Sequence, residues 1–226
     1  EASHQLTLLS PVPSRNSYLI DNCGHIYNQW TSDYKLGLSS KLDKDGNLYR
    51  GGLVSSPFFN AGGKGGVLEK YSWDGQLIWT IEMANDSLNL HHDFELLPDG
   101  NLLVVAWEYL SFDEIVALGR DSSITSPNGF YSEVVFEINP ENNFQTEWVW
   151  RAIEHIVQDR DPGKPAFGLI KENPQRIDVN LNVPGNLSQP VDWLHINSVD
   201  YNPILDQILL SCNGIDEIII IDHSTT

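Results

Sequence analysis

Apolar and polar residues alternate in short runs along most of this chain, and runs with a helical period are nearly absent. Alternation with a period of two is typical of β-strands that bury one face. Clusters of Asp, Asn, Gly and Pro, which favour turns, separate the runs. Residues 111–118 and 154–159 are the two stretches that could hold a helical turn or two. The pattern therefore predicts an all-β protein.

Two strand modules recur along the chain. The first is a strand, a polar turn and a second strand that closes on tryptophan, and it occurs at residues 18–30, 68–79 and 135–148. The second is a strand that follows an Asp-Gly-Asn turn, and it occurs at residues 42–49 and 97–104, with a degenerate copy at 199–210. Asp-Gly predicts type I′ hairpin turns, in which both central residues have positive φ.

The alternation of the two modules repeats after about 50 residues, which is the range of β-propeller blades. The modules amount to three blades plus the first strand of a fourth, Glu217–Asp222. Because propellers close with more blades than this, we expect residues 1–226 to be a single, incomplete propeller domain of about three and a half blades. Residues 109–130 and 158–190 are expected to be loop insertions. A β-sandwich is the alternative fold, although the repeat is long for it.

Composition narrows the classes of partner. The chain carries 31 Asp and Glu against 13 Lys and Arg, a net charge of −18, which disfavours nucleic acids and anionic lipid surfaces. No apolar run reaches the length of a membrane span, and the first ten residues lack the features of a signal peptide. Cys23 and Cys212 are the only cysteines; they form no disulfide framework or metal motif, and the sequence leaves open whether they pair.

Three of the seven histidines occupy equivalent places in the repeats. His91 and His92 precede one module of the second kind, and His195 precedes its degenerate copy. In a propeller the strand that enters this module lies near the axis, so we expect these residues to converge on the central channel. Neighbouring side chains on a strand point to opposite faces, so one of His91 and His92 is expected to face away. The remaining histidines are assigned to surface or structural positions: His4, His25, His155 and His223.

Histidines that line a polar channel could carry out either of two chemistries. The simpler alternative is that these histidines are hydrogen-bonded core residues without a chemical role. Histidine can act as a nucleophile or as a general acid or base near neutral pH. It can also bind a metal, and His91, His92, Asp93 and His195 offer suitable nitrogen and oxygen ligands. Because no metal-type spacing such as HExxH is present, the first chemistry is favoured and no metal or other cofactor is predicted.

The segments around these histidines resemble the bacterial arylsulfotransferase family. The resemblance is carried by HHDFELLPDGNLLV at residues 91–104 and DWLHINSVDYN at 192–202, with further likeness at residues 9–24 and 221–226. It implies a six-bladed propeller in the periplasm or outside the cell. The implied reaction moves a sulfuryl group from a phenolic sulfate ester to a phenol without a nucleotide donor.

The resemblance also implies roles for individual residues. In the family a channel histidine takes the sulfuryl group covalently, while two further histidines and an arginine stabilise the charged oxygens and the leaving phenolate. One of His91 and His92, together with His195, matches the two stabilising histidines. Asn213 or Cys212 stands where the arginine is expected, and no arginine follows Arg176. The nucleophilic histidine is expected in a later blade, outside these 226 residues.

Two hypotheses for function follow. The first is an arylsulfotransferase-like enzyme, of which this chain is the N-terminal half or a truncated homologue, acting on a phenolic sulfate donor and a phenol acceptor. The second is a non-catalytic propeller that has lost the active-site arginine and nucleophile. In that case its open blade edge would recruit a second copy or another partner by strand addition.

Overall fold

The computed structural model describes residues 5–181 and 191–225. About 49% of the described residues are in β-strands and these residues contain one α-helix, which confirms the all-β class. The chain divides into two compact units, Glu1–Leu96 and Leu97–Thr226. His4 and residues 182–190 of the second expected insertion lie outside the described residues. Over the ranges described, no helix has both the length and the apolar character needed to cross a membrane.

The first unit consists of antiparallel strands that pair mostly in chain order. The strands are β1 (Thr7–Leu9), β2 (Asn16–Ile20), β3 (Ile26–Thr31), β4 (Leu36–Leu42), β5 (Leu48–Leu53), β6 (Gly66–Tyr71), β7 (Leu77–Glu82) and β8 (Leu88–Leu96). One sheet has the order β1-β2-β3, and β4 to β7 form a second antiparallel series. Strand β8 lies parallel to β4, where His92 pairs with Leu38.

The second unit contains three sheets, one of them the short parallel pair β12–β13, and a short helix. Its elements are β9 (Leu102–Leu110), α1 (Phe112–Ala117), β10 (Phe130–Asn139), β11 (Gln145–Arg151), β12 (Ile156–Val157), β13 (Ile177–Asp178), β14 (Val191–Asp192), β15 (Ile196–Asn202), β16 (Gln207–Cys212) and β17 (Glu217–Asp222). Strand β10 is central, antiparallel to β9 and β11 and parallel to β14. Strands β15, β16 and β17 form an antiparallel sheet of their own.

The three strand pairs predicted to close on tryptophan are confirmed as β2–β3, β6–β7 and β10–β11. The helical turn expected at residues 111–118 is α1, which begins with a capping box formed by Ser111 and Glu114. This helix is part of the first insertion, which is therefore not a surface loop throughout: Ile115 is fully buried. The helical turn expected at 154–159 begins earlier, as the 3₁₀ segment Ala152–His155.

Two details of the repeat prediction are wrong. Strand β17 does not start a new blade, because it pairs along its whole length with β16 as the third strand of that sheet. The Asp-Gly turns are not type I′, since Gly46 and Gly100 have positive φ but Asp45 and Asp99 do not. In the first of these turns the Asp43 carbonyl accepts the Gly46 N–H, as in a type I turn followed by a left-handed glycine.

Candidate functional site

The His195 loop joins β14 to β15 and holds His195 in a left-handed backbone conformation, with φ of 49°. This conformation is uncommon for residues with a side chain and costs about 1–3 kcal/mol, so it persists only where the surroundings enforce it. The residues just before His195, Trp193 and Leu194, are completely buried and anchor the loop. The position of His195 is therefore fixed by the core beneath it.

An acidic residue three positions earlier in the chain orients the His195 ring. Oδ2 of Asp192 lies 2.5 Å from Nδ1 of His195, and Oδ1 of Asp192 accepts a hydrogen bond from the indole of Trp107 at 2.9 Å. The bond to Asp192 raises the pKa of His195; burial opposes this shift, and the charge of Asp192 adds to it. The His195 side chain retains 27% of its exposure, so it combines a favoured positive charge with access from solvent.

A second carboxyl lies beneath this pair. Glu133 in β10 has no solvent exposure, and its Oε1 accepts the backbone N–H of Ile196 at 3.0 Å. Burial, and after it the charge of Asp192, raises the pKa of Glu133 well above its ordinary value. Sequence reasoning missed Glu133, Asp192 and Trp107. Asp192 could have been noticed within the DWLH motif, whereas the contact of Glu133 depends on how β10 packs.

Asn213, which the resemblance assigns to the arginine position, contacts the backbone of His195. Its backbone N–H donates to the His195 carbonyl at 3.1 Å, and the Gly214 N–H donates to Leu194 at 2.8 Å. A β-carbon on Gly214 would lie 2.3 Å from the Trp193 carbonyl oxygen, so only glycine permits this approach. Asn213 is exposed and Cys212 is buried. Asn213 is therefore the residue of the two that can reach a solute.

His91 and His92 contact each other. Their Nδ1 atoms are 2.9 Å apart and their rings are nearly perpendicular. The expectation that the two side chains point to opposite faces is wrong, because φ of 53° at His92 interrupts the strand alternation. A hydrogen bond between two ring nitrogens needs one donor and one acceptor, so one of the two Nδ1 atoms is unprotonated. His91 is fully buried, whereas His92 is partly exposed.

His92 and His195 share the same local backbone. Their φ values of 53° and 49° place both in the left-handed region. The backbone of His91 does not have a positive φ. The shared conformation favours His92 over His91 as the counterpart of His195, a choice that the sequence left open.

The other histidines and cysteines occupy separate places. His25 pairs with Asp21 at the surface, and His155 stacks on Trp150. His223 lies between two carboxylates, those of Glu137 and Asp206. Both cysteines are free thiols. Within residues 5–181 and 191–225, no group of three His, Cys, Asp or Glu side chains has the arrangement of a metal site.

The chain was compared with protein families, curated sequences and solved structures. A solved structure of a protein of unknown function from Bacteroides caccae aligns with 98% of this chain and 74% of its own, at 12% identity and a TM-score of 0.45. No curated protein sequence matches. The family model described as Arylsulfotransferase (ASST) matches residues 2–226. Because that match spans nearly every residue, including both histidine motifs, the chain belongs to the arylsulfotransferase family.

Proposed function

We propose that this chain takes part in the transfer of a sulfuryl group from a phenolic sulfate ester to a phenol. Membership of the arylsulfotransferase family supports this reaction class. The observation that carries the proposal is the pair formed by Asp192 and His195, which presents an oriented imidazole with a raised pKa at a partly exposed position. The proposed setting is a six-bladed propeller in the periplasm or outside the cell, with the antiparallel sheets as its blades.

The chemistry requires positive charge at defined points. Sulfuryl transfer passes through a loose, anionic transition state, and preorganised donors directed at its oxygens supply much of the catalysis. In the proposal, Nε2 of His195 donates to a sulfuryl oxygen or to the leaving phenolate oxygen. Asp192 holds the ring in one orientation and keeps it cationic, because it accepts the Nδ1 proton. The nucleophile is the channel histidine that the resemblance implies.

His92 and Asn213 have supporting roles in the proposal. The left-handed conformation that His92 shares with His195 supports its assignment as the second stabilising histidine. Asn213 offers an amide donor where the family has a guanidinium, and it brings no charge. Charge-assisted hydrogen bonds are roughly twice as strong as neutral ones. In the proposal the histidines therefore stabilise most of the negative charge of the transition state.

Formation of a new sulfate ester tests the proposal. The protein is incubated with 4-nitrophenyl sulfate and phenol, and phenyl sulfate is measured by mass spectrometry. Phenyl sulfate that forms together with 4-nitrophenol supports sulfuryl transfer. Release of neither product across a panel of phenol acceptors contradicts it and favours a non-catalytic binding propeller. His25→Ala, which alters an exposed histidine paired only locally with Asp21, is the matched control and should keep full activity.

A further inference from the structure

Glu133 holds the residue that follows His195, although its own side chain is sealed from solvent. Its Oε1 accepts a hydrogen bond from the Ile196 N–H at 3.0 Å, and the Asn213 N–H donates one to the His195 carbonyl at 3.1 Å. The left-handed turn at His195 is therefore held by hydrogen bonds on both of its sides. The acceptor of the Ile196 N–H is an ionisable side chain, that of Glu133. A backbone carbonyl could accept this N–H equally well if stability were the only requirement.

If Glu133, Asp192 and His195 were all ionised, two negative charges would face one positive charge. Asp192 approaches from β14 and His195 from the loop after it, while Trp107 of β9 contributes an indole N–H. Cys212 of β16 is a buried thiol whose pKa is raised to about 12, by burial and then by Glu133 and Glu217. Two carboxylates, one of them fully buried, would thus share one imidazolium. Like charges that share a buried site do not both ionise, so one carboxyl keeps its proton.

Asp192 is the carboxyl that contacts the His195 ring. It is partly exposed, and its two oxygens contact the His195 ring and the Trp107 indole, both of which stabilise a carboxylate. Glu133 has no exposure, and its donors here are neutral, the Ile196 backbone N–H and the Trp107 indole. The proton therefore stays on Glu133.

We propose that Glu133 is a protonated, neutral positioning residue of the sulfuryl-transfer site, which fixes the Ile196 amide beside His195 and leaves Asp192 as the sole anion paired with that histidine. The catalytic consequence rests on the proposed function, but the charge state and the backbone contact do not. A neutral Glu133 lets the Asp192–His195 pair stay electrically balanced beneath an anionic substrate. An ionised Glu133 would add a negative charge where the transition state needs a positive one.

The titration of His195 tests the charge state directly. Imidazole shifts of His195 are followed by NMR against pH in the unmodified protein, in Glu133→Gln and in Asp192→Asn. Glutamine reproduces a neutral carboxyl and can still accept the Ile196 N–H, so His195 should titrate at the same pH as in the unmodified protein. Asp192→Asn should move the titration of His195 to lower pH. A shift of His195 to lower pH in Glu133→Gln, of a size like that in Asp192→Asn, would overturn the proposal.

Two further measurements cover the cases in which a variant fails to fold or the enzyme proves inactive. Carboxyl ¹³C shifts of Glu133 in the unmodified protein at pH 7 report its protonation without any substitution, and an ionised Glu133 would refute the proposal. If the protein transfers sulfuryl groups, Glu133→Gln should keep kcat near its original value. Glu133→Leu, which cannot accept the Ile196 N–H, should lower kcat at least tenfold with little change in KM. If the protein transfers none, the NMR results still decide the inference.

Discussion

The imidazole ring of His92 lies directly on the α-carbon of Gly63. A β-carbon on Gly63 would be 2.1 Å from Nε2 of His92, and the His92 N–H donates to the Gly63 carbonyl at 2.8 Å. Gly63 itself has φ of 77°. The glycine thus provides both a left-handed backbone and the space that the ring occupies, so the orientation of His92 depends on a residue 29 positions earlier.

Gly63→Ala should displace the His92 ring and lower the rate of sulfuryl transfer. Displacing a reacting group by about 1 Å can cost roughly 100-fold in rate, and we expect a loss of at least about tenfold. Gly75→Ala is the matched control, since Gly75 has φ of 78° but open space around its α-carbon. Both variants should lose about 1–2 kcal/mol of unfolding free energy from the left-handed alanine. Equal rates in the two variants would show that the His92 position has no part in the reaction.

Asn213→Arg should increase the rate of sulfuryl transfer. Asn213 is exposed and hydrogen-bonded through its backbone to His195, so a longer side chain can be accommodated there and would add positive charge beside the proposed site. A charge-assisted contact is worth about 1.5–3 kcal/mol, which corresponds to a rise in kcat/KM of roughly tenfold or more. Steady-state kinetics with 4-nitrophenyl sulfate measures the effect. Asn213→Gln, which lengthens the side chain without charge, should leave the rate unchanged; an equal gain in both variants would argue against the charge.

Asp192→Asn should change how stability depends on pH. Asp192 raises the pKa of His195 above its ordinary value of 6.5, so protonation of His195 favours the folded state. That contribution is complete below the pKa of the unfolded chain and is lost as pH rises through the higher pKa of the folded protein. Urea unfolding at a series of pH values from about 5.5 to 8.5 should show this loss in the unmodified protein and a weaker one in Asp192→Asn.

The exposed pair of Asp21 and His25 gives the control for this comparison. Asp21→Asn removes a similar contact at the surface and should leave the pH dependence as it is in the unmodified protein. If the unfolding free energies of Asp192→Asn and of the unmodified protein fall by the same amount over this pH range, the Asp192–His195 contact does not make stability depend on pH.

His223 should contribute to stability rather than to catalysis. Its two ring nitrogens lie 2.8 Å from carboxylate oxygens of Asp206 and Glu137, and Glu137 is buried. His223→Ala leaves a buried carboxylate short of a donor, which costs about 1–3 kcal/mol of unfolding free energy. Chemical denaturation measures this loss, and His25→Ala serves as the exposed control with a negligible effect. A His223→Ala variant that unfolds at the same denaturant concentration as the unmodified protein would contradict the role.

The repeat pattern predicted most of the strands because alternation and turn residues are local signals. The pairing of β17 with β16 was not predicted, since the sequence gives strand positions but not partners. The histidine motifs were found from their equivalent places in the repeats. The contact between Asp192 and His195 was missed because it depends on the left-handed φ of His195. Glu133 was missed because a carboxyl in an apolar strand reveals its partner only when the strands pack.

The most direct test of the central claim is the steady-state rate of sulfuryl transfer in His195→Asn. Asparagine tolerates the left-handed conformation, so the loop should keep its shape while the cationic imidazole is lost. We predict that kcat/KM for 4-nitrophenyl sulfate with phenol falls by at least about 100-fold, whereas Asp21→Asn keeps the original value. A His195→Asn variant that is folded and as active as the unmodified protein would contradict the account.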